Sequence, residues 1–325
     1  LNNKALKLPA IPYWLKWIIA LVPIVWIFWS IDAGGMLHAA SSLPWWGVPL
    51  VIGNVLLSMF LQGVRWWLLI KAFIPDVNFG KVMSAHFAGI FYSIALPTSA
   101  AGDVVRTFLI SKDNDYAVAW SATWLSRITG LMVLLLFSVI GLFLMDRTRL
   151  PESVSLSVLT VFCLLAVCLV LSFSKKVTRP VRKALRKVLP LVKALEIMEN
   201  IRNGIYQYRY KKMNLFIVFS ITILVQCLLI GYTILIIKGI SGKFFIVECL
   251  TFIPIIEIVC LSVPLTPSGI GVREVLSKLM FDQIGLTGEQ LGVYIMLGFL
   301  ATSLKLVGAV PILLGLVKSP GKARR

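Results

Sequence analysis

Two arginines set the chemical question. Each closes one copy of the pattern Pro-x-x-x-x-Gly-x-x-Val-Arg: Pro97, Gly102, Val105 and Arg106 in the first, Pro264, Gly269, Val272 and Arg273 in the second. A guanidinium is a rigid fork of donors matched to phosphate or carboxylate oxygens. Asp103 stands three residues before Arg106, a spacing that shares one helix face, and Glu274 directly follows Arg273. Arg127, Glu257 and Lys305 are further charges set in apolar surroundings. Together these seven are four cations and three acids, a positive surplus that an anionic ligand would balance. If a half-helix starts after each glycine, its free amides and positive dipole end face the break, which is an anion site. Arg106 and Arg273 are thus the principal anion-holding candidates, with Arg127, Lys305, Thr98, Ser99 and Ser268 beside them. Pro97, Gly102, Pro264, Gly269 and Gly271 are the expected break and backbone positions. Asp103, Glu257 and Glu274 serve either proton coupling or salt bridges, and the salt-bridge reading is the better one for Glu257.

The elements that must position these groups are membrane helices. Of 325 residues, 58% are hydrophobic and only 14% charged, with a mean hydropathy of +0.90, which describes a polytopic membrane protein. Uncharged runs near the roughly 20 residues of a spanning helix are Leu43 to Val64, Ser153 to Ser174 and Met213 to Ile237. Ala117 to Met145 and Gln290 to Val317 reach that length across one charge each, Arg127 and Lys305. The run from Trp17 to Ile31 reads as a retained first helix rather than a cleaved leader. Lipid offers no partner to freed backbone groups, so proline and glycine breaks survive only when buried in protein or lining a wet cavity. A charge at bilayer depth costs about 2.5 to 3.5 kcal/mol, so such charges mark a function and have partners. Matched broken segments in two halves point to a transport site. Arg65, beside Trp66 and Trp67, is expected to snorkel to the interface, and His86 to be a satisfied core histidine.

Other chemistries are not supported. The five cysteines lack paired metal-ligand spacing, there are two histidines, His38 and His86, and no nucleotide-binding or hydrolase motif appears. Neither a metal nor a cofactor is expected.

Charge placement gives a topology. Residues 175 to 212 hold 12 Lys and Arg against Glu196 and Glu199, so this loop is cytoplasmic by the positive-inside rule. Val181, Leu185, Val188, Val192, Leu195, Met198, Ile201 and Ile205 recur at helical steps within it, an amphipathic helix suited to anionic inner-leaflet lipid rather than to nucleic acid. Both termini are basic and read as cytoplasmic. Parity then requires residues 79 to 116 to leave and re-enter the inner face, and 240 to 288 the outer face. The expectation is an all-α polytopic plasma-membrane protein, one membrane domain over 1–325. It is an inverted repeat with about six full transmembrane helices plus two re-entrant hairpins: 46–145 the first half, 153–212 the connecting span and basic helix, 213–318 the second half.

The stretches SIALPTSAAGDVVRTFLISKD and SVPLTPSGIGVREVLSKLM resemble the lysylphosphatidylglycerol synthase transmembrane family, also called the flippase-like domain family. The resemblance runs from the second span to the last. It implies lipid handling: members resemble the membrane half of multiple peptide resistance factors, which moves aminoacylated phosphatidylglycerol between leaflets. Standalone members are associated with other lipids, including polyprenyl-linked sugars and hopanoids. The sequence ends at Arg325 without the soluble acyltransferase-like domain of the full-length synthases, so a standalone member is expected and lipid aminoacylation is not. The function expected is transport of an anionic or phosphate-bearing lipid, whether phospholipid, aminoacyl-phospholipid or polyprenyl-phosphate-linked, with membrane lipids as partners and a partner enzyme supplying the cargo. The alternative is an integral-membrane glycosyl- or phospho-group transferase acting on a polyprenyl-phosphate lipid, with Asp103 or Glu274 as base. Oligomeric state is left open.

Overall fold

A computed structural model describes residues 43–96, 99–111, 116–145, 203–262, 266 and 269–317, with the isolated positions 38, 40, 41, 160 and 163. The expected first helix at Trp17 to Ile31, the span Ser153 to Ser174 apart from positions 160 and 163, the amphipathic basic helix up to residue 202 and both termini lie outside the described residues. Among these residues every regular element is helical: α1 Gly47–Lys71, α2 Phe79–Ala95, α3 Ser99–Ser111, α4 Tyr116–Leu144, α5 Lys212–Ser241, α6 Ile246–Ser262, α7 Val272–Phe281, α8 Gly288–Leu304 and the short α9 Val310–Leu313. Among the described residues four units are long and apolar enough to cross a bilayer: α1, α4, α5 and the run Gly288–Leu313.

The chain breaks where the two patterns lie, but the breaks are built differently. Asn78 caps the start of α2 by accepting from the Lys81 amide at 3.0 Å. At the other end Leu96 is extended, φ −106° and ψ 156°, because the residue before a proline is pushed out of the helical region. Helix resumes at Ser99, so Gly102 falls inside the first turn of α3 rather than at the break expected of it. Its reason is contact. A Cβ at Gly89 would lie 2.8 Å from the Gly102 carbonyl oxygen and 2.9 Å from Arg106 Cβ, and a Cβ at Gly102 would lie 2.9 Å from Ser93 Cβ. The limbs α2 and α3 therefore meet backbone to backbone. In the second copy the glycines do form the break: Gly269 and Gly271 have φ of 78° and 87°, a region glycine enters at little cost.

Two buried clusters locate the feet of these broken pairs. Ile70 ends α1, Val82 begins α2, Ile110 ends α3, Ala119 begins α4 and Val218 begins α5, and all five pack together. The stretch 79–111 thus starts and finishes at one end of the bundle. In the second cluster Ile237 near the end of α5 packs with Cys249 at the start of α6, Phe281 at the end of α7 and Leu291 at the start of α8. About 28 Å of helical rise separates Val218 from Ile237 on α5, so the two broken pairs have their feet at opposite ends of that helix. α4 lies on α6, the 305–309 segment and α9 lie on α2, and α1 lies against α5.

A 3-10 stretch, Lys305–Ala309, interrupts the last spanning run. Pro311 has no amide to give the Val307 carbonyl and crowds it, which tightens the turn before it. Gly308 lets this turn sit on α2, where a Cβ would come 2.8 Å from the Phe91 nitrogen.

Candidate functional site

Between the two clusters lies a cavity of about 390 Å³, lined by Arg106, Arg127, Arg273 and Lys305 together with Asp103, Glu257 and Glu274. Charges scattered over more than half the chain are thereby brought to one place. Gly102 also lines it. Of the remaining positions singled out from sequence, Pro97, Thr98, Pro264 and Ser268 lie outside the described residues, and only the backbone of Ser99 is described.

The first group of contacts centres on α3. Arg106, buried at 9% exposure, donates from Nη2 to Asp103 Oδ1 at 2.8 Å. Its Nη1 lies 3.0 Å from His86 Nδ1, and its guanidinium lies 4.8 Å from the Trp66 ring centroid. Asp103 also pairs with Arg127 of α4 through its other oxygen. The α3 and α4 limbs are pinned behind this carboxylate by hydroxyls, Thr107 Oγ1 to Thr123 Oγ1 at 2.7 Å, with the Trp66 indole donating to Thr123 at 3.0 Å.

The second group spans α6 and α7. Arg273 Nη2 contacts both Glu257 oxygens, at 3.0 Å and 3.1 Å. Glu274 makes no ion pair among the described residues. It reaches back to accept from the Gly271 amide at 2.6 Å, which caps α7 at its third residue. The Lys305 side chain has neither an ion pair nor a hydrogen bond among the described residues. The Nε atoms of Arg106 and Arg273 are both buried without a hydrogen-bond partner, as is Thr266 Oγ1. Unsatisfied buried donors of this kind are costly, and Arg65 Nε and Ser58 Oγ of the same cavity lining share that state.

Arg65 corrects the expectation of snorkelling. It is buried, lines the same cavity, and donates to Thr222 Oγ1 at 3.1 Å and Ser126 Oγ at 2.9 Å. Those hydroxyls come from α5 and α4, so the end of α1 is inside the bundle, where a long cation finds partners it would otherwise seek in water. Among the described lining residues the balance is then five cations, Arg65, Arg106, Arg127, Arg273 and Lys305, against three carboxylates. His86 is satisfied, as expected of a core histidine, yet one of its partners is Arg106. Sequence reasoning also passed over Tyr232 and Tyr294, which line the cavity from α5 and α8.

Long apolar helices around a positively biased cavity define a multi-pass helical membrane protein. The chain belongs to the family described as lysylphosphatidylglycerol synthase TM region, whose model matches residues 13–309. That membership makes it a membrane lipid-related protein. No curated protein and no solved structure matches the chain.

Proposed function

We propose that this protein moves phosphate-bearing lipids between leaflets, their headgroups passing through the central cavity while the acyl or prenyl tails stay in the bilayer. In this reading residues 79–111 and 246–281 are re-entrant hairpins dipping from opposite faces. The segments 46–145 and 213–318 are inverted halves joined by 153–212, and the whole has about six full spans in the plasma membrane with the basic loop and both termini cytoplasmic. The clustering of each pair's feet at one end of α5 and the reciprocal packing of the halves support it.

The observation that carries the proposal is the pair of arginines. Arg106 and Arg273 stand at the same step of two copies of one pattern, line one cavity, and each keeps a buried Nε without a partner. Phosphate oxygens are acceptors for such donors, and the excess of cations favours an anion. A group-transfer role would need a carboxylate free to act as base. Among the described residues Asp103 and Glu257 are held in ion pairs and Glu274 in a helix cap, which weighs toward transport. Residues 175–212 would rest on anionic lipid, and a partner enzyme would make the cargo.

The test is leaflet-resolved movement of fluorescent phosphatidylglycerol in phosphatidylcholine proteoliposomes, read by chemical quenching of the outer leaflet. Arg106→Ala and Arg273→Ala should each slow movement about tenfold or more, the worth of one lost charge-assisted hydrogen bond. Unaltered rates in both would remove the arginines from the mechanism. A chemically altered lipid product would favour the transferase instead.

A further inference from the structure

We infer that His86 is the positioning residue that aims Arg106 at the headgroup, and that it does so only as the neutral ring protonated on Nε2. The inference rests on the transport reading above and adds to it a residue that neither the sequence patterns nor the family match points to.

The hydrogen-bond partners of the ring fix its tautomer. His86 sits on α2 at 3% exposure. Its Nε2 lies 3.1 Å from the Met59 carbonyl oxygen of α1, and a carbonyl only accepts, so Nε2 must carry the hydrogen. Its Nδ1 lies 3.0 Å from Arg106 Nη1, and a guanidinium only donates, so Nδ1 must be a bare acceptor. One tautomer of the neutral imidazole satisfies both contacts, and an imidazolium satisfies only one. Gly63 of α1 leaves room for the ring edge, since a Cβ there would come 2.9 Å from Cδ2.

The consequence for Arg106 is that three of its surfaces are committed. Nη1 goes to His86, Nη2 to Asp103, and one face to Trp66. What is left is the second hydrogen on each Nη and the buried, unpartnered Nε. The charged groups facing the ring are Arg106 from α3 and Arg65 from α1, and Asp103 stands beyond Arg106 as its ion-pair partner. The second half contains no histidine, and Arg273 takes both of its contacts from Glu257 instead.

Two substitutions separate this role from simple packing. Asparagine places an amide oxygen where Nδ1 was, keeping the acceptor for Arg106. Glutamine places its amide nitrogen where Nε2 was, keeping only the Met59 contact. In the proteoliposome assay with fluorescent phosphatidylglycerol, His86→Asn should raise the half-saturating lipid fraction by no more than about twofold, whereas His86→Gln should raise it about tenfold. Equal losses, or no loss, in the two variants would overturn the assignment. A second readout does not depend on transport. With only His38 and His86 in the chain, nitrogen NMR of labelled histidine in nanodiscs resolves the ring directly. The His86 Nδ1 signal should be that of a hydrogen-bonded acceptor and should move in Arg106→Ala but not in Arg273→Ala. A protonated Nδ1, or one indifferent to Arg106→Ala, overturns the inference even if lipid moves. If wild-type protein moves no lipid, the transport reading fails, and with it the role assigned to His86.

Discussion

Glu257 and Arg273 join the two limbs of the second broken pair, with Arg273 Nη2 3.0 Å from Glu257 Oε1 across the gap between α6 and α7. The first pair joins its limbs through a neutral group, His86 of α2 lying 3.0 Å from Arg106 of α3, and its acid is on the other limb: Asp103 lies on α3 one turn before Arg106 and extends its second oxygen to Arg127 of α4. The arginine is retained at the repeated position while the source of its counter-charge has moved. Removing Glu257 should therefore release a whole limb. Glu257→Gln is expected to cost about 2 kcal/mol, below the full value of a buried pair because both side chains retain some exposure. The doubly substituted Glu257→Gln, Arg273→Gln protein should regain part of it. Thermal unfolding in detergent checks this, and equal stability of wild type and Glu257→Gln would refute it.

Gly89 and Gly102 face one another where α2 crosses α3. Alanine at Gly89 would press on the Gly102 carbonyl oxygen and on Arg106 Cβ. The expected cost is about 1 to 3 kcal/mol, with slower lipid movement because Arg106 is displaced. Gly231 on α5 has nothing within 4 Å of a built Cβ, so Gly231→Ala should be neutral or slightly stabilising. Paired melting curves decide between contact and general intolerance of alanine.

Gly271 supplies a different need. Its φ of 87° is a conformation that an alanine adopts only under strain of about 1 to 3 kcal/mol. It immediately precedes Val272 and Arg273, so Gly271→Ala should both lower the melting temperature and shift the half-saturating lipid fraction. Gly285, with φ 80° but nothing within 4 Å of a built Cβ, lies beyond α7 and should affect stability alone.

Lys305 lines the cavity, its side chain without an ion pair or hydrogen bond among the described residues. Lys305→Gln should then leave stability within about 0.5 kcal/mol while weakening the handling of anionic lipid. The same surplus of cations predicts a ranking of cargo. Phosphatidic acid and phosphatidylglycerol should move faster than phosphatidylcholine, and a cationic lipid slowest. A protein that moves all four equally would show that the cavity's charge plays no part in selection.

Much of this was legible in the sequence because it depended on local rules. The helix of α1 follows from its uncharged run, the stop at Leu96 from the proline that follows it, and the interest of Arg106 and Arg273 from their repeated spacing. What was not legible depended on partners far away in the chain. Arg65 finds its hydroxyls on Ser126 and Thr222, and no feature near Arg65 announces them. Glycine after proline suggests a helix break at Gly102, whereas its use is set by Gly89 on the neighbouring limb. The 3-10 turn at Lys305 could have been anticipated from Pro311, six residues on.

The central claim is that both halves contribute an arginine to a single lipid-phosphate site. It is tested most directly by an experimental density map of the protein in nanodiscs containing phosphatidylglycerol. The account predicts headgroup density inside the cavity within hydrogen-bonding reach of both Arg106 and Arg273. Lipid density confined to the outer surface of the bundle, with those two side chains turned into separate environments, would contradict it.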